Sequence, residues 1–138
     1  MIELPLSSIG ATVRLLASGI GDVAGPVAVT ATVPGRSLLP LAPVHLALES
    51  IGDGDVRLRW VRRSRAGWRW IDGVDAPLGE EREAYRVTLI GGAGRAIETT
   101  VPELIVTAAD RAAAVALQVR QIGSFGESPA AEIALPAL

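Results

Sequence analysis

Residues 44–61, with the sequence VHLALESIGDGDVRLRWV, contain the clearest β-strand pattern of this chain. On each side of its centre, apolar residues occupy every second position, which is the period of a half-buried β-strand. The centre, from Gly52 to Asp55, contains the Asp-Gly pair that favours a two-residue hairpin turn. The stretch therefore predicts two antiparallel strands, with Trp60 on the buried face and Arg57 and Arg59 on the solvent face.

The same alternation returns three times further along the chain. The apolar positions of these runs are Tyr85, Val87 and Leu89, then Val115, Leu117 and Val119, and finally Ala131, Ile133 and Leu135. Glycine-rich stretches at 91–94 and 123–126 separate the runs, as turns between strands do. Residues 108–114 predict only a short helical turn, because so few residues cannot form a stable helix. The pattern predicts an all-β, antiparallel sandwich.

The first 38 residues are organised differently. Thr12 to Ala17 and Val27 to Val33 predict two strands joined by a glycine-rich stretch, and residues 34–43 contain the three prolines of a semi-rigid linker. Because two strands alone are marginally stable in water, this appendage is expected to pack on the sandwich, on another subunit or on a neighbouring protein. We predict an N-terminal β appendage and linker over 1–38 and a sandwich over 39–138.

The composition argues against several kinds of chemistry. The chain has no cysteine, so disulfides and thiolate metal sites are excluded. Its single histidine is His45. No nucleophile motif accompanies His45, and the acids of residues 72–83 lack the spacing of a calcium loop. The net charge of −2 argues against general nucleic-acid binding, and no apolar run is long enough for a membrane span. We expect a soluble protein that is not an enzyme and needs no cofactor or metal.

The order of several landmarks resembles a fibronectin type III module. A proline-led first strand (Pro43-Val44-His45-Leu46) is followed by Trp60 on the second strand, Tyr85-Arg86-Val87 on the third and Gly126-Glu127-Ser128 in the last hairpin. The resemblance implies a fibronectin-III-like β-sandwich with a buried tryptophan. Leu117 stands where such modules usually have a buried tyrosine, so a tyrosine corner is expected to be absent.

Three longer blocks resemble another family. The blocks are RSLLPLAPVHL at 36–46, WVRRSR at 60–65 and VDAPLGEEREAY at 74–85. They look like the C-terminal region of the large tail-tip protein of gene transfer agents and related siphophages, the host-specificity or tail-hub family. This resemblance covers about residues 34–136. It implies a structural role at the tail tip of a virion, contacts with hub and distal tail proteins, and a threefold arrangement. Both a separate gene product and a fragment of a longer hub protein fit it.

The residues between positions 57 and 70 form the candidate interface. They are Arg57, Arg59, Arg62, Arg63, Arg65, Trp68, Arg69 and Trp70. The arginines fit an outward strand face paired with Glu80, Glu81 and Glu83, a protein–protein contact, or a surface for a glycan or nucleic acid. Trp68 and Trp70 fit an interface or a sugar-stacking platform. The predicted function is structural, through protein–protein contacts, and the alternative is a receptor- or glycan-binding adhesin at the tail tip.

Overall fold

The computed structural model describes residues 4–21, 23–65, 78–92 and 94–136. The chain divides into two compact units, Met1–Leu38 and Leu39–Leu138. The strands are β1 (Thr12–Ala17), β2 (Val27–Thr32), β3 (Val44–Gly52), β4 (Asp55–Val61), β5 (Tyr85–Ile90), β6 (Ala96–Thr99), β7 (Glu103–Val106), β8 (Ala116–Gly123), β9 (Gly126–Glu127) and β10 (Ala131–Ala134). A single turn of helix, α1, spans Ala108–Arg111, and short 3-10 turns span Leu6–Ser8 and Arg36–Leu38. Within the described ranges, no helix is long and apolar enough to cross a membrane.

The first unit is an antiparallel hairpin of β1 and β2. Its ladder continues outward at one end, where the Gly10 amide donates to the Val33 carbonyl and the Val33 amide donates to the Ala11 carbonyl. No described residue between positions 4 and 38 is buried. The hairpin predicted from the sequence is confirmed, and it has strands without a core.

The second unit is a sandwich of two antiparallel sheets. One sheet has the order β3-β4-β7, and the other has the order β10-β8-β5-β6, with β9 also paired to β8. Strands of the two sheets bury their alternate apolar residues against each other, as sheet-on-sheet packing requires. The all-β, antiparallel sandwich with an N-terminal two-strand appendage is therefore confirmed.

The core of the sandwich joins both sheets around two aromatic rings. Trp60 on β4 is 4% exposed, and its ring meets the fully buried ring of Tyr85 on β5 edge-to-face, with centroids 5.1 Å apart. The other buried core residues are Val56, Leu58, Val87, Leu89, Val106, Leu117 and Val119. Arg59 on the same strand as Trp60 is exposed, and Arg57 is half-buried. The predicted orientation of Trp60 toward the core is confirmed.

The turn between β3 and β4 has the predicted geometry. Asp53 and Gly54 both have positive φ angles, of 53° and 81°, and Gly52 pairs with Asp55 across them. A type I′ turn requires positive φ at both central residues, and asparagine, aspartate and glycine adopt it at the lowest cost. The short helical turn is also confirmed, since α1 begins after Thr107, whose hydroxyl accepts from the Asp110 amide.

Two parts of the sandwich differ from the sequence-based expectation. The Val115 side chain, predicted to face the core, is 67% exposed, while its amide donates to the Ile90 carbonyl and its carbonyl accepts from the Leu135 amide. On β8 the first core side chain is therefore Leu117, two residues after Val115. Ala114, which precedes Val115, packs against the core instead. Strands β6 and β7 were not predicted, because the apolar residues of their sequences, AIET and ELIV, are consecutive and do not alternate with polar ones.

Candidate functional site

The outer face of the β3-β4-β7 sheet neutralises the first two arginines of the candidate interface. Arg57 lies opposite Glu49 on β3, and Arg59 lies opposite Glu103 on β7. Arg57 Nη1 is 3.5 Å from Glu49 Oε2, and Arg59 Nε is 3.3 Å from Glu103 Oε2. Exposed ion pairs of this kind contribute at most about 1 kcal/mol each. This part of the face is a balanced charge ladder and not a free basic patch.

The acids that pair with these arginines are not those expected from the sequence. The interpretation as an outward strand face assigned the partners to Glu80, Glu81 and Glu83, whereas Arg57 and Arg59 use acids of neighbouring strands. Cross-strand pairing depends on register, which the sequence of one strand does not contain. Arg65 follows the expectation, because its partner is Glu80.

Glu80 connects the region that follows β4 to a distant turn of the sandwich. Its side chain is only 3% exposed, and its Oε1 lies 2.6 Å from Arg65 Nη2. Its other oxygen, Oε2, accepts a hydrogen bond of 3.1 Å from the backbone amide of Ser124, in the turn between β8 and β9. A single carboxylate therefore joins the residues after β4, the residues before β5 and the β8–β9 turn.

Close packing at Gly123 supports this junction of Arg65, Glu80 and Ser124. A Cβ atom at Gly123 would lie 2.7 Å from Glu80 Oε2 and 2.8 Å from the ring of Pro40, closer than real contacts allow. Glycine is the residue that permits the approach of the turn to Glu80. The sequence singled out 123–126 as a turn but gave no sign of this contact, since Glu80 lies far away in sequence.

A second polar cluster caps the core beside this junction. The Tyr85 hydroxyl donates a hydrogen bond of 2.7 Å to Glu83 Oε1. Burial of the phenol raises the pKa of Tyr85 above its ordinary value, and the bond to the Glu83 carboxylate raises it further, while the positive charge of Arg62 opposes both effects. Arg62 is thus close enough to influence the Tyr85 phenol, and its side chain is half-buried.

The described members of the candidate interface differ in exposure and in surroundings. Arg57 and Arg59 lie on the sheet, Arg62 and Arg65 are half-buried beside the junction, and Arg63 is exposed. Trp68, Arg69 and Trp70 lie outside the described residues. The candidate interface therefore groups residues that are close in sequence. In the structure, the described members lie in different environments.

A cavity of about 420 Å³ adjoins the junction. Its walls are Glu80, Glu81, Arg82, Ile122, Gly123 and Ser124. Phe125, the second residue of the β8–β9 turn, is 56% exposed. Glu81 and Arg82 are exposed as well, so the surface here combines charges of both signs with an accessible ring. Such a mixed surface suits a polar partner with an apolar or cationic group.

The described residues contain no group of three or more histidine, cysteine or acidic side chains that could hold a metal ion. His45 is exposed, with a φ of 53°, at an irregularity in the pairing of β3 with β4. An uncommon backbone angle at a strand irregularity is a local packing feature.

No protein-family model matches the chain, and no curated protein matches it either. Solved structures do. The chain is similar to a segment of two fibronectin type III domains from chicken tenascin, with 12% identity and a TM-score of 0.50, over 91% of this chain and 63% of the segment. It is also similar to domains d3-d4 of the rat CD45 extracellular region, with 6% identity and a TM-score of 0.51, over 99% of this chain and 69% of that one.

These similarities establish the class of fold. The predicted fibronectin-III-like sandwich is confirmed as the class of fold. The chain spans about 63% of the length of the tenascin segment. At such low identity the likeness concerns the fold and not the function.

Proposed function

We propose that the protein is a non-catalytic assembly module that acts through protein–protein contacts. The observation that carries this proposal is the hairpin of β1 and β2, which has a regular ladder and no buried residue. A two-stranded hairpin without a core does not hold its structure alone in water. Contacts with other protein surfaces are the simplest source of the missing stability.

The proposed setting is the tail tip of a siphophage or gene transfer agent. It rests on the resemblance of the blocks at 36–46, 60–65 and 74–85 to the tail-hub family. In that setting the partners are hub, distal tail and other baseplate proteins, in a threefold arrangement around the tail axis. Two of the three blocks include Arg65 and Glu80, the ion pair of the junction.

On the sandwich, the proposed contact surface is the end that carries the junction. Arg63 and Phe125 are exposed there, and neither belongs to the core. Arginine and aromatic side chains contribute strongly to interfaces when a partner removes them from water. Trp68, Arg69 and Trp70 stay sequence-based predictions for the same surface.

The test uses particles purified from producing cells. The chain should be detected in intact particles, and antibody labelling should mark the tail tip. Replacing Arg63 with glutamate together with Phe125 with alanine should lower incorporation while leaving the isolated chain folded, with Arg95→Glu as a control for charge on the exposed surface away from the junction. Particles that lack the chain altogether would contradict the tail-tip setting.

The alternative, a receptor- or glycan-binding adhesin, has one observation in its favour. Phe125 offers an accessible ring in the same turn as Ser124, which lines the polar cavity, and sugars stack on aromatic rings. The same double variant separates the two functions. Normal incorporation with loss of attachment to cells would favour the adhesin, as would the same outcome for Trp68→Ala with Trp70→Ala.

A further inference from the structure

We propose that the free edge of β7, the one that faces away from β4, is a docking site for an extended segment of a partner protein. The segment adds a fourth strand to the β3-β4-β7 sheet. It carries a basic residue that faces Glu103 and apolar residues that face Val101 and Ile105. This inference rests on the proposed assembly function, for which it names the chemistry of one partner.

The first argument is the set of backbone groups that β7 leaves unpaired. β7 is the last strand of its sheet, so one of its edges has no neighbour among the described strands. The Trp60 amide donates to the Pro102 carbonyl, and bonded and non-bonded positions alternate along an antiparallel pair. The register of β4 and β7 therefore puts Glu103 and Ile105 at non-bonded positions. Their amides and carbonyls point away from β4, with the spacing that an added strand matches.

The second argument is the apolar surface along the same edge. Val101 and Ile105 are each 51% exposed. Because Trp60 pairs with Pro102, Val61 lies opposite Val101, and it is 52% exposed. A strand paired with β7 places every second side chain over this outer face of the sheet. One added strand therefore covers the unpaired backbone groups and the apolar side chains together.

The third argument gives the charge of the partner segment. Glu103 lies between Val101 and Ile105 on the outer face, and its side chain is half-exposed. Its Oε2 accepts from Arg59 Nε on the β4 side, at 3.3 Å. A basic side chain on a strand beyond β7 approaches the same carboxylate from the opposite side, and opposite charges across a strand pair are favourable. The preferred segment therefore has apolar, basic and apolar residues at every second position.

The fourth argument is a comparison with the other edges of the sandwich. Edge strands are commonly protected by bulges, prolines or charges. β3 has register shifts in its pairing with β4, and β10 lies between Pro129 and Pro136. Neither β6 nor β10 exposes a large apolar side chain. Pro102, just before β7, does not protect the free edge, because its missing N–H would face β4.

The test uses the isotope-labelled full-length chain and a capped synthetic peptide of sequence TVTRTVT. In an antiparallel register, its arginine faces Glu103 and its valines face Val101 and Ile105. Binding should shift the amide resonances of Glu103 and Ile105 and slow their hydrogen exchange, while the Leu104 amide, which bonds β4, changes little. A peptide with glutamate in place of arginine should bind about fivefold more weakly, because it places two acids opposite each other.

Two N-methylated peptides separate backbone pairing from side-chain contact. A methyl group on the arginine nitrogen blocks the amide that faces Glu103, and it should raise the dissociation constant about tenfold or more. A methyl group on the nitrogen of the next threonine is the control, because that amide points away from β7. It should change the dissociation constant by less than about threefold.

A matched pair of variants tests the position of the site. Ile105→Lys puts a charge on the free edge, as natural edge strands do against pairing, and should weaken binding of TVTRTVT about tenfold. Val115→Lys is the control, because Val115 is also exposed and immediately precedes β8, which belongs to the other sheet. It should leave binding unchanged. Circular dichroism should show a folded sandwich in both variants.

Three results with the peptides would overturn the inference. These are unchanged resonances of Glu103 and Ile105 with TVTRTVT, equal binding of the arginine and glutamate peptides, or equal effects of the two methyl groups. Slow exchange of the same two amides without peptide, increasing with the concentration of the chain, would assign the edge to a second copy and overturn it too.

Incorporation of the unaltered chain into particles is measured in parallel. A chain that enters particles but does not bind the peptide loses the docking edge and keeps the assembly function. A chain that binds the peptide but is absent from particles does the reverse.

Discussion

Arg65 Nη2 lies 2.6 Å from Glu80 Oε1, and this ion pair joins the residues that follow β4 to the residues that precede β5. The same carboxylate accepts from the Ser124 amide, so the pair also fixes the β8–β9 turn. Two connections at one end of the sandwich thereby depend on one nearly buried side chain.

Replacement of Glu80 tests this dependence. Glu80→Ala should lower the free energy of unfolding by about 1–3 kcal/mol, because a buried acceptor is removed from both a guanidinium and a backbone amide. Amide exchange at Ser124 should accelerate. Glu81→Ala, at the exposed neighbouring position, should change stability by less than about 0.5 kcal/mol. Equal effects of the two substitutions in urea denaturation would contradict the role given to Glu80.

Trp60→Ala should lower the free energy of unfolding by about 3–5 kcal/mol, since it leaves a cavity between the sheets beside Tyr85. Val61→Ala is the matched control, because Val61 follows on the same strand and is 52% exposed. Its cost should stay below about 1 kcal/mol. Denaturation monitored by circular dichroism gives both values, and a small cost for Trp60→Ala would show that the core does not depend on this ring.

The pH dependence of stability should report Tyr85 at high pH. Tyr85 is the only tyrosine, and the chain has no lysine, so few other groups titrate between pH 9 and pH 12. The folded state holds the phenolic proton more tightly than the unfolded state, whose pKa is about 10. Stability should therefore be constant below that pH and fall above it, by about 1.4 kcal/mol per pH unit.

Two measurements check this expectation. Absorbance at 295 nm should show the phenol of the folded chain ionising well above pH 10 and that of the chain in urea ionising near pH 10. The variant Tyr85→Phe should lose the alkaline decline in stability. A native titration curve that coincides with the one in urea would contradict the environment described for Tyr85.

At Gln121 we predict a substitution that raises the free energy of unfolding. It is fully buried opposite Tyr85, and both polar atoms of its amide lack a hydrogen-bond partner among the described residues. Gln121→Met should raise the free energy of unfolding by about 1 kcal/mol, because an uncompensated amide is removed from the core. Gln118→Met is the control, since its amide bonds Glu132 at the surface. A loss of stability in Gln121→Met would indicate a buried water that satisfies the amide.

The alternation around residues 44–61 was sufficient to predict β3, β4, the hairpin turn and the burial of Trp60, because these features depend on neighbours in sequence. The same holds for the hairpin of β1 and β2. The exposure of Val115 was not predictable, since it depends on where the core ends and on Ala114, which packs there instead.

The acidic partners of the arginines were predicted less well, for a related reason. The density of arginines after position 56 was visible, but their partners Glu49 and Glu103 are set by strand register. The junction at Glu80 joins residues that are 44 positions apart, which alternation cannot indicate. Contacts of this kind follow from the topology of the sandwich and not from any single stretch of chain.

The absence of a side chain at Gly123 has a consequence for how the sequence can change. Because a Cβ at that position would lie within 3 Å of both Glu80 and Pro40, any other residue at 123 requires those two residues to shift. We therefore expect positions 40, 80 and 123 to change together. In a library of random variants, survivors with alanine or serine at 123 should carry a shorter residue at 80, a different residue at 40, or both.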